Sequence, residues 1–200
     1  MSPPGRPKGE YRRAQPEGTP VNELNPKLPT AARRPGWRFL FSHPAHVIAL
    51  GFGSGLSPAA PGTVGTLWAW LAFLVLQPHL STLQWALLLV ASFAVGWWAC
   101  TVAARHLAVA DPGAIVWDEV LAFWLVLWLV LPAGFWAQFW AFVLFRFFDA
   151  AKPGPVAWAD RVFKGRRGAS IGWAQGFGII FDDLVAALCT LLVIAAWRWL

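Results

Sequence analysis

The chain has 200 residues, 58% of them hydrophobic and only 13% charged, with a formal net charge of +6. A soluble domain of this length needs far more polar surface, so the composition excludes an ordinary water-soluble globule and points to helices that face lipid on several sides. The excess positive charge lies before about residue 40 and between Lys152 and Arg167, flanking apolar segments, which argues for anionic lipid and membrane topology and against nucleic acid.

In chain order, residues 1–36 carry eight prolines among scattered Arg and Lys, with almost no apolar clustering. The expectation is a disordered basic tail, followed by one membrane-embedded domain over 37–200. The tail has no uninterrupted apolar core of the signal-peptide kind. "WRFLFSHPAHVIALGFG", from Trp37, is aromatic, basic and broken by Pro44, which suits either a segment lying in the interface or a first turn of the bundle. Apolar runs then follow at 66–77, 82–103, 119–132, 134–150 and 179–199. About five spans are expected, giving an all-α, multi-span transmembrane helical bundle.

With the basic tail on the cytoplasmic side, five crossings put the 50s loop, the 104–118 loop and the basic 152–178 loop on that same side. Every acidic residue beyond the tail lies in or beside one of these loops: Asp111, Asp118, Glu119, Asp149, Asp160, Asp182 and Asp183. Cys100 and Cys189 match no metal or redox spacing and read as buried thiols. His43, His46, His79 and His106 are scattered, and none has ligand spacing.

Two segments stand out: "IVWDEVLA" from Ile115 and "IIFDDLVA" from Ile179, each an apolar approach to two adjacent acids before a greasy run. Asp118 and Glu119 open one span, Asp149 closes another, and Asp182 and Asp183 open the last, so five carboxylates stand near one membrane depth. Carboxylates there need a cation. Arg146 and Lys152, one turn either side of Asp149, could serve in a structural salt-bridge network. A divalent ion is the sharper alternative, and oxygen-only ligands without His or Cys suit Mg²⁺ or Mn²⁺ rather than zinc. The near-repeat would present two acidic pairs to one site, or reflect chance under a shared hydropathy constraint.

"GFGSGLSPAAPGTVGT", from Gly51, could bring backbone N–H groups and the hydroxyls of Ser54, Ser57, Thr63 and Thr66 to an anion, or form a turn in which Thr66 caps the next helix. It is not a Walker loop. "FRFFDAAKPGPVAWADR" ends a span at Pro153 and Pro155, and its Arg146, Lys152 and Arg161 could neutralise phosphate charge.

Together, "GFGSGLSPAAPGTVGT", "IVWDE", "FRFFDAAKPGP" followed by "DR", and "GFGIIFDD" resemble, in order and character, the motifs of the phosphatidylglycerophosphatase A family over about residues 50–190. The resemblance implies a multi-span, all-α enzyme of the bacterial inner membrane that removes the terminal phosphate of phosphatidylglycerophosphate with Mg²⁺ to give phosphatidylglycerol, and the charge distribution turns its site to the cytoplasm. It implies Asp118, Glu119, Asp149, Asp182 and Asp183 as metal and catalytic residues, with Arg146 and Lys152 as the basic catalytic pair. It places the small-residue loop on Ser57, Pro61, Gly62, Thr63 and Gly65; Ser54 and Arg161, from the hydroxyls and charges noted above, are further candidates for binding substrate. Two departures accompany it: the stretch from Lys164, "KGRRGASIGWAQ", is longer than the family's link, and the Pro-rich tail lies outside. A water attack is expected, with a covalent route through Thr63 or Ser57 as the alternative. Rival functions are a phosphatase for another lipid phosphate, such as a polyprenyl phosphate, and a small cation-binding membrane transporter, which would need acids near mid-bilayer.

Overall fold

The computed structural model describes residues 34–163 and 171–199. The expected disorder of the tail up to residue 33, and the lengthened link over 164–170, lie outside the described residues. Among the described residues the fold is all-α, as the hydropathy pattern requires. Short helices α1 (Trp37–Leu40) and α2 (Pro44–Ala49) lead into a 3-10 turn over Gly51–Leu56, then α3 (Pro61–Leu76) and α4 (Thr82–Leu107). After α5 (Trp117–Val130) and α6 (Phe135–Ala151) come α7 (Pro155–Phe163) and α8 (Trp173–Trp199).

The local sequence explains most of these boundaries. Pro44, Pro61 and Pro155 each stand at the first helical position, where the missing N–H costs nothing and the fixed φ suits a helix. Ser81 and Gln84 form a reciprocal capping box at the start of α4. Lys152 closes α6 in a left-handed conformation at φ 45°, and Pro153 prevents the helix from continuing. Asp118 and Glu119 fall in the first turn of α5, where the helix dipole favours negative charge.

α5 is the axis of the bundle. Beyond Glu119 it is apolar all round; it touches α3, α4, α6 and α8, and every residue from Trp117 to Trp124 is buried. Fully buried Ala122 on α5 and Ala186 and Ala187 on α8 fit the close packing of those two helices. A Cβ at Gly176 would collide with the side chain of Thr101, so α8 approaches α4 closely there. Arg105 Nε donates to Ile171 O at 2.9 Å and Trp97 Nε1 to Trp173 O at 2.7 Å, which pins the start of α8 to α4. Outward faces remain apolar, with Leu71, Leu74, Leu87, Val90, Leu188 and Leu192 exposed, the pattern of a surface solvated by hydrocarbon.

The five expected runs fall on α3, α4, α5, α6 and α8. By length and composition two of these, α4 at 26 residues and α8 at 27, suffice to cross a membrane; α3, α5 and α6, at 16, 14 and 17 residues, are shorter. Three boundaries differ from the sequence reading. α3 begins at Pro61, so the second half of the expected loop is helical and Ala60, not Thr66, is the N-cap. α8 begins at Trp173, so Asp182 and Asp183 sit in its third turn instead of opening it. The stretch expected as a basic loop contains α7, which lays Val156 and Ala159 against the bundle.

Candidate active site

The site forms where the N-terminus of α5, the C-terminus of α6 and the third turn of α8 meet the first turns of α3. The start of α5 is fixed from outside: Val116, its N-cap, donates its N–H to Ala49 O at 2.9 Å, and Gly65 packs on the Val116 side chain. That places Asp118 and Glu119 against α8. One carboxylate oxygen from each of Asp118, Glu119 and Asp183 lies within 4.8 Å of the others, and all three residues are buried. Asp149, in the last turn of α6, reaches Asp183.

Two cations serve this cluster, and they divide it. Arg146 Nη1 pairs with Asp149, stands 3.7 Å from Glu119 Oε1, and donates to Thr66 Oγ1 at 3.4 Å. Lys152 Nζ turns away from Asp149 and pairs with Asp182 Oδ2 at 2.6 Å and with Asp160 of α7. Burial works against the Lys152 ammonium, but its bonds to Asp160 and Asp182 outweigh that penalty and raise its pKa above the ordinary lysine value.

The ion pairs leave part of the cluster without a partner. Asp118 Oδ1, Glu119 Oε2 and Asp183 Oδ2 are buried and accept no hydrogen bond. Five buried acids against two basic side chains leave a surplus of negative charge, and buried orphan oxygens are costly. The salt-bridge network is therefore real but incomplete. Three hard oxygen donors converging within this distance fit a Mg²⁺-like ion, and the absence of imidazole or thiolate among them disfavours zinc.

The near-repeat is not symmetric in space. Its second acids, Glu119 and Asp183, both enter the trio, whereas its first acids part: Asp118 joins the trio and Asp182 meets Lys152. The cause is register, since one copy begins a helix and the other lies mid-helix.

The small-residue stretch also divides. A Cβ at Gly62 would collide with the Glu119 carboxylate and stand 3.1 Å from Arg146 Nη2, so only glycine lets α3 approach this close. Pro61 and Thr63 flank it, half-buried. Ser54 and Ser57, by contrast, donate their hydroxyls to Gly51 O and Ala59 O, each at 2.8 Å, and are occupied by their own turn. Arg161 is exposed on α7, outside the group formed by the acids, Arg146 and Lys152.

Two features escaped the sequence reading. Asp160 fixes Lys152, and its only signal was its place beside Arg161 in "DR". Three of the four histidines are not scattered: His46, buried, donates from Nδ1 to Phe39 O at 2.8 Å and accepts at Nε2 from His106 Nδ1 at 2.7 Å, with His43 close by, whereas His79 stands apart in the turn after α3. Burial lowers the His46 pKa. This cluster joins α2 to the end of α4 and is separate from the carboxylates.

The sequence profile of the phosphatidylglycerophosphatase A family matches residues 47–198. The chain belongs to that family. Phosphatidylglycerophosphatase A of Escherichia coli K12 is 39% identical over 152 residues, covering 76% of this chain and 81% of the relative. That of Haemophilus influenzae Rd is 35% identical over 158 residues, covering 78% and 90%. A relative from Bacteroides thetaiotaomicron, named provisionally as a phosphatidylinositol-3-phosphatase, is 37% identical over 165 residues, covering 76% and 92%. No solved structure matches the chain significantly. Membership makes this protein a phosphoric monoester hydrolase and removes the transporter reading. All seven residues expected to be catalytic lie inside the span matched by the phosphatidylglycerophosphatase A profile, whereas His43 and His46 precede it.

Proposed function

We propose that the protein hydrolyses the terminal phosphomonoester of phosphatidylglycerophosphate, giving phosphatidylglycerol and inorganic phosphate in phospholipid biosynthesis, with Mg²⁺ as cofactor. The observation that carries the metal is the buried trio Asp118, Glu119 and Asp183, with one partnerless oxygen on each, beside the Arg146 guanidinium. Family membership supports the substrate. In this reading Asp118, Glu119 and Asp183 hold the ion, and Asp149 and Asp182 complete its surroundings. Bound there, Mg²⁺ would polarise the phosphoryl group and ease deprotonation of water.

The remaining work falls to the chain's own groups. Arg146, oriented by Asp149 and Thr66, presents N–H donors to the phosphoryl oxygens as charge develops on them. Lys152, clamped between Asp160 and Asp182, adds a second fixed positive charge. Gly62 lets the first turn of α3 lie directly against Glu119 and Arg146. A carboxylate of the cluster takes the proton of the attacking water, the bond from phosphorus to the glycerol oxygen breaks, and the leaving oxygen is protonated. Ser57 has its hydroxyl committed to its own turn, which favours water over that serine as the nucleophile.

The same reading has α3, α4, α5, α6 and α8 crossing the bacterial inner membrane, with the acids at its cytoplasmic face. Apolar exposure along α3, α4 and α8 supports this arrangement, and tilting or local thinning of the bilayer accommodates the shorter helices. A second lipid substrate, a phosphatidylinositol phosphate, is favoured by the name of the Bacteroides relative. The deciding experiment is phosphate release by the purified protein from phosphatidylglycerophosphate, phosphatidylinositol 3-phosphate and a soluble phosphomonoester, each with Mg²⁺ and with EDTA. Mg²⁺-dependent release from phosphatidylglycerophosphate above the other two supports the proposal, and faster release from the inositol lipid replaces the substrate.

A further inference from the structure

At the far end of the bundle from the carboxylates, α5, α6 and α8 enclose a groove of about 450 Å³, lined by Val130, Ala137, Trp140, Leu144, Ile194 and Trp197. Arg198 is its one charged lining residue. On α8, Arg198 lies fifteen residues past Asp183, about 22 Å along the helix, so the groove is remote from the site. Its volume falls in the range of small-molecule pockets, roughly 300–1,000 Å³.

Arg198 Nη2 donates to Val130 O, in the last turn of α5, at 2.7 Å, which fixes the guanidinium at the groove's edge. Among the described residues no carboxylate pairs with Arg198. Trp140 and Trp197 flank the groove and are largely exposed, as tryptophans at a headgroup boundary are. An apolar trough that ends in an unbalanced guanidinium between two indoles complements one kind of bilayer component, an acyl chain attached to an anionic phosphodiester. A second copy of the chain is a poorer fit. All seven Asp and Glu residues among the described residues lie towards the other end, so none of these side chains on a neighbour in the same membrane orientation meets Arg198 at this depth.

We propose that this groove binds one anionic phospholipid of the surrounding bilayer, its phosphate on Arg198 and an acyl chain along Ala137, Trp140 and Leu144, independently of the catalytic site.

The test is native mass spectrometry of the full chain in detergent, equilibrated with equal phosphatidylserine and phosphatidylcholine, for wild type, Arg198→Gln and Ala137→Trp. The wild type should retain one phosphatidylserine in preference to phosphatidylcholine. Arg198→Gln should lose about tenfold of that preference, equivalent to about 1.4 kcal/mol. Ala137→Trp fills the trough and should lose the retained lipid whatever its headgroup. Because Arg198 also holds Val130 O, Ala137→Trp tests the groove without disturbing that bond. Both variants should keep the wild-type rate of phosphate release, which shows that they fold. Equal retention of the two lipids by the wild type, undiminished retention by Ala137→Trp, or a dimer whose dissociation follows either substitution in place of lipid loss would each overturn the proposal.

Discussion

The two ends of α5, α6 and α8 are built from the same helices and do opposite things with charge. At one end five buried acids and two cations converge, and glycine at position 62 brings α3 against Glu119. At the other, Trp140, Leu144 and Ile194 line a trough whose one charge, Arg198, meets a backbone carbonyl. The difference lies in unpaired charge: the acidic end has buried carboxylate oxygens with nothing to accept, whereas the orphan polar atom outside that cluster among the described residues is a neutral indole N–H, Trp85 Nε1. Buried charge without partners is the costlier kind, and its concentration at the acidic end is what supports the proposed site there.

The largest expected break in this contrast comes from Asp118, Glu119 and Asp183, the proposed Mg²⁺ ligands. Asp183→Asn keeps size and polarity but removes a ligand charge, and turnover should fall about a thousandfold or more while the folded protein persists. Steady-state phosphate release with a melting curve on the same sample checks it. Ala137→Trp, at the other end of α6, should leave turnover unchanged.

Arg146→Lys is next. A lysine keeps the charge but loses the planar fork that meets Asp149, Glu119 and Thr66, so turnover should drop about a hundredfold. Extra Mg²⁺ should not restore it.

Gly62→Ala should cost less, about tenfold to a hundredfold in kcat/KM, because the new Cβ displaces the Glu119 carboxylate by about an ångström. An equal loss for Ala at Ser57, whose hydroxyl is spent on its own turn, would remove the distinction drawn between the two halves of that stretch.

The smallest effect is a pH dependence of stability at the His46–His106 contact. Burial lowers the folded pKa of His46 below its unfolded value near 6.5. Below that value the unfolded chain binds more protons, so the contribution is full above about pH 6.5 and is lost as pH falls through the folded pKa. Melting temperature should therefore decline on the acid side for the wild type, and less steeply for His46→Gln.

Much of this was legible in the sequence, for identifiable reasons. Hydropathy located the five long helices, and the adjacent acids at Asp118 and Asp182 stood out because carboxylates are rare beside such apolar runs. Register was not legible: no local pattern said that Asp183 would join Glu119 while Asp182 turned to Lys152. α7 was hidden because nine residues after two prolines read as loop, and its Asp160 was hidden with it. The pairing of His46 with His106 spans sixty positions and depends on how α2 folds back onto α4, which ligand spacing cannot reveal.

The central claim is that the trio Asp118, Glu119 and Asp183 holds a catalytic Mg²⁺. Its most direct test is isothermal titration of Mg²⁺ into the metal-stripped protein, wild type against Asp183→Asn, paired with phosphate release from phosphatidylglycerophosphate at the same Mg²⁺ concentrations. The account predicts that binding and activity saturate together in the wild type and that both are lost in Asp183→Asn. Full activity after metal stripping, or unchanged Mg²⁺ binding by the variant, would contradict it.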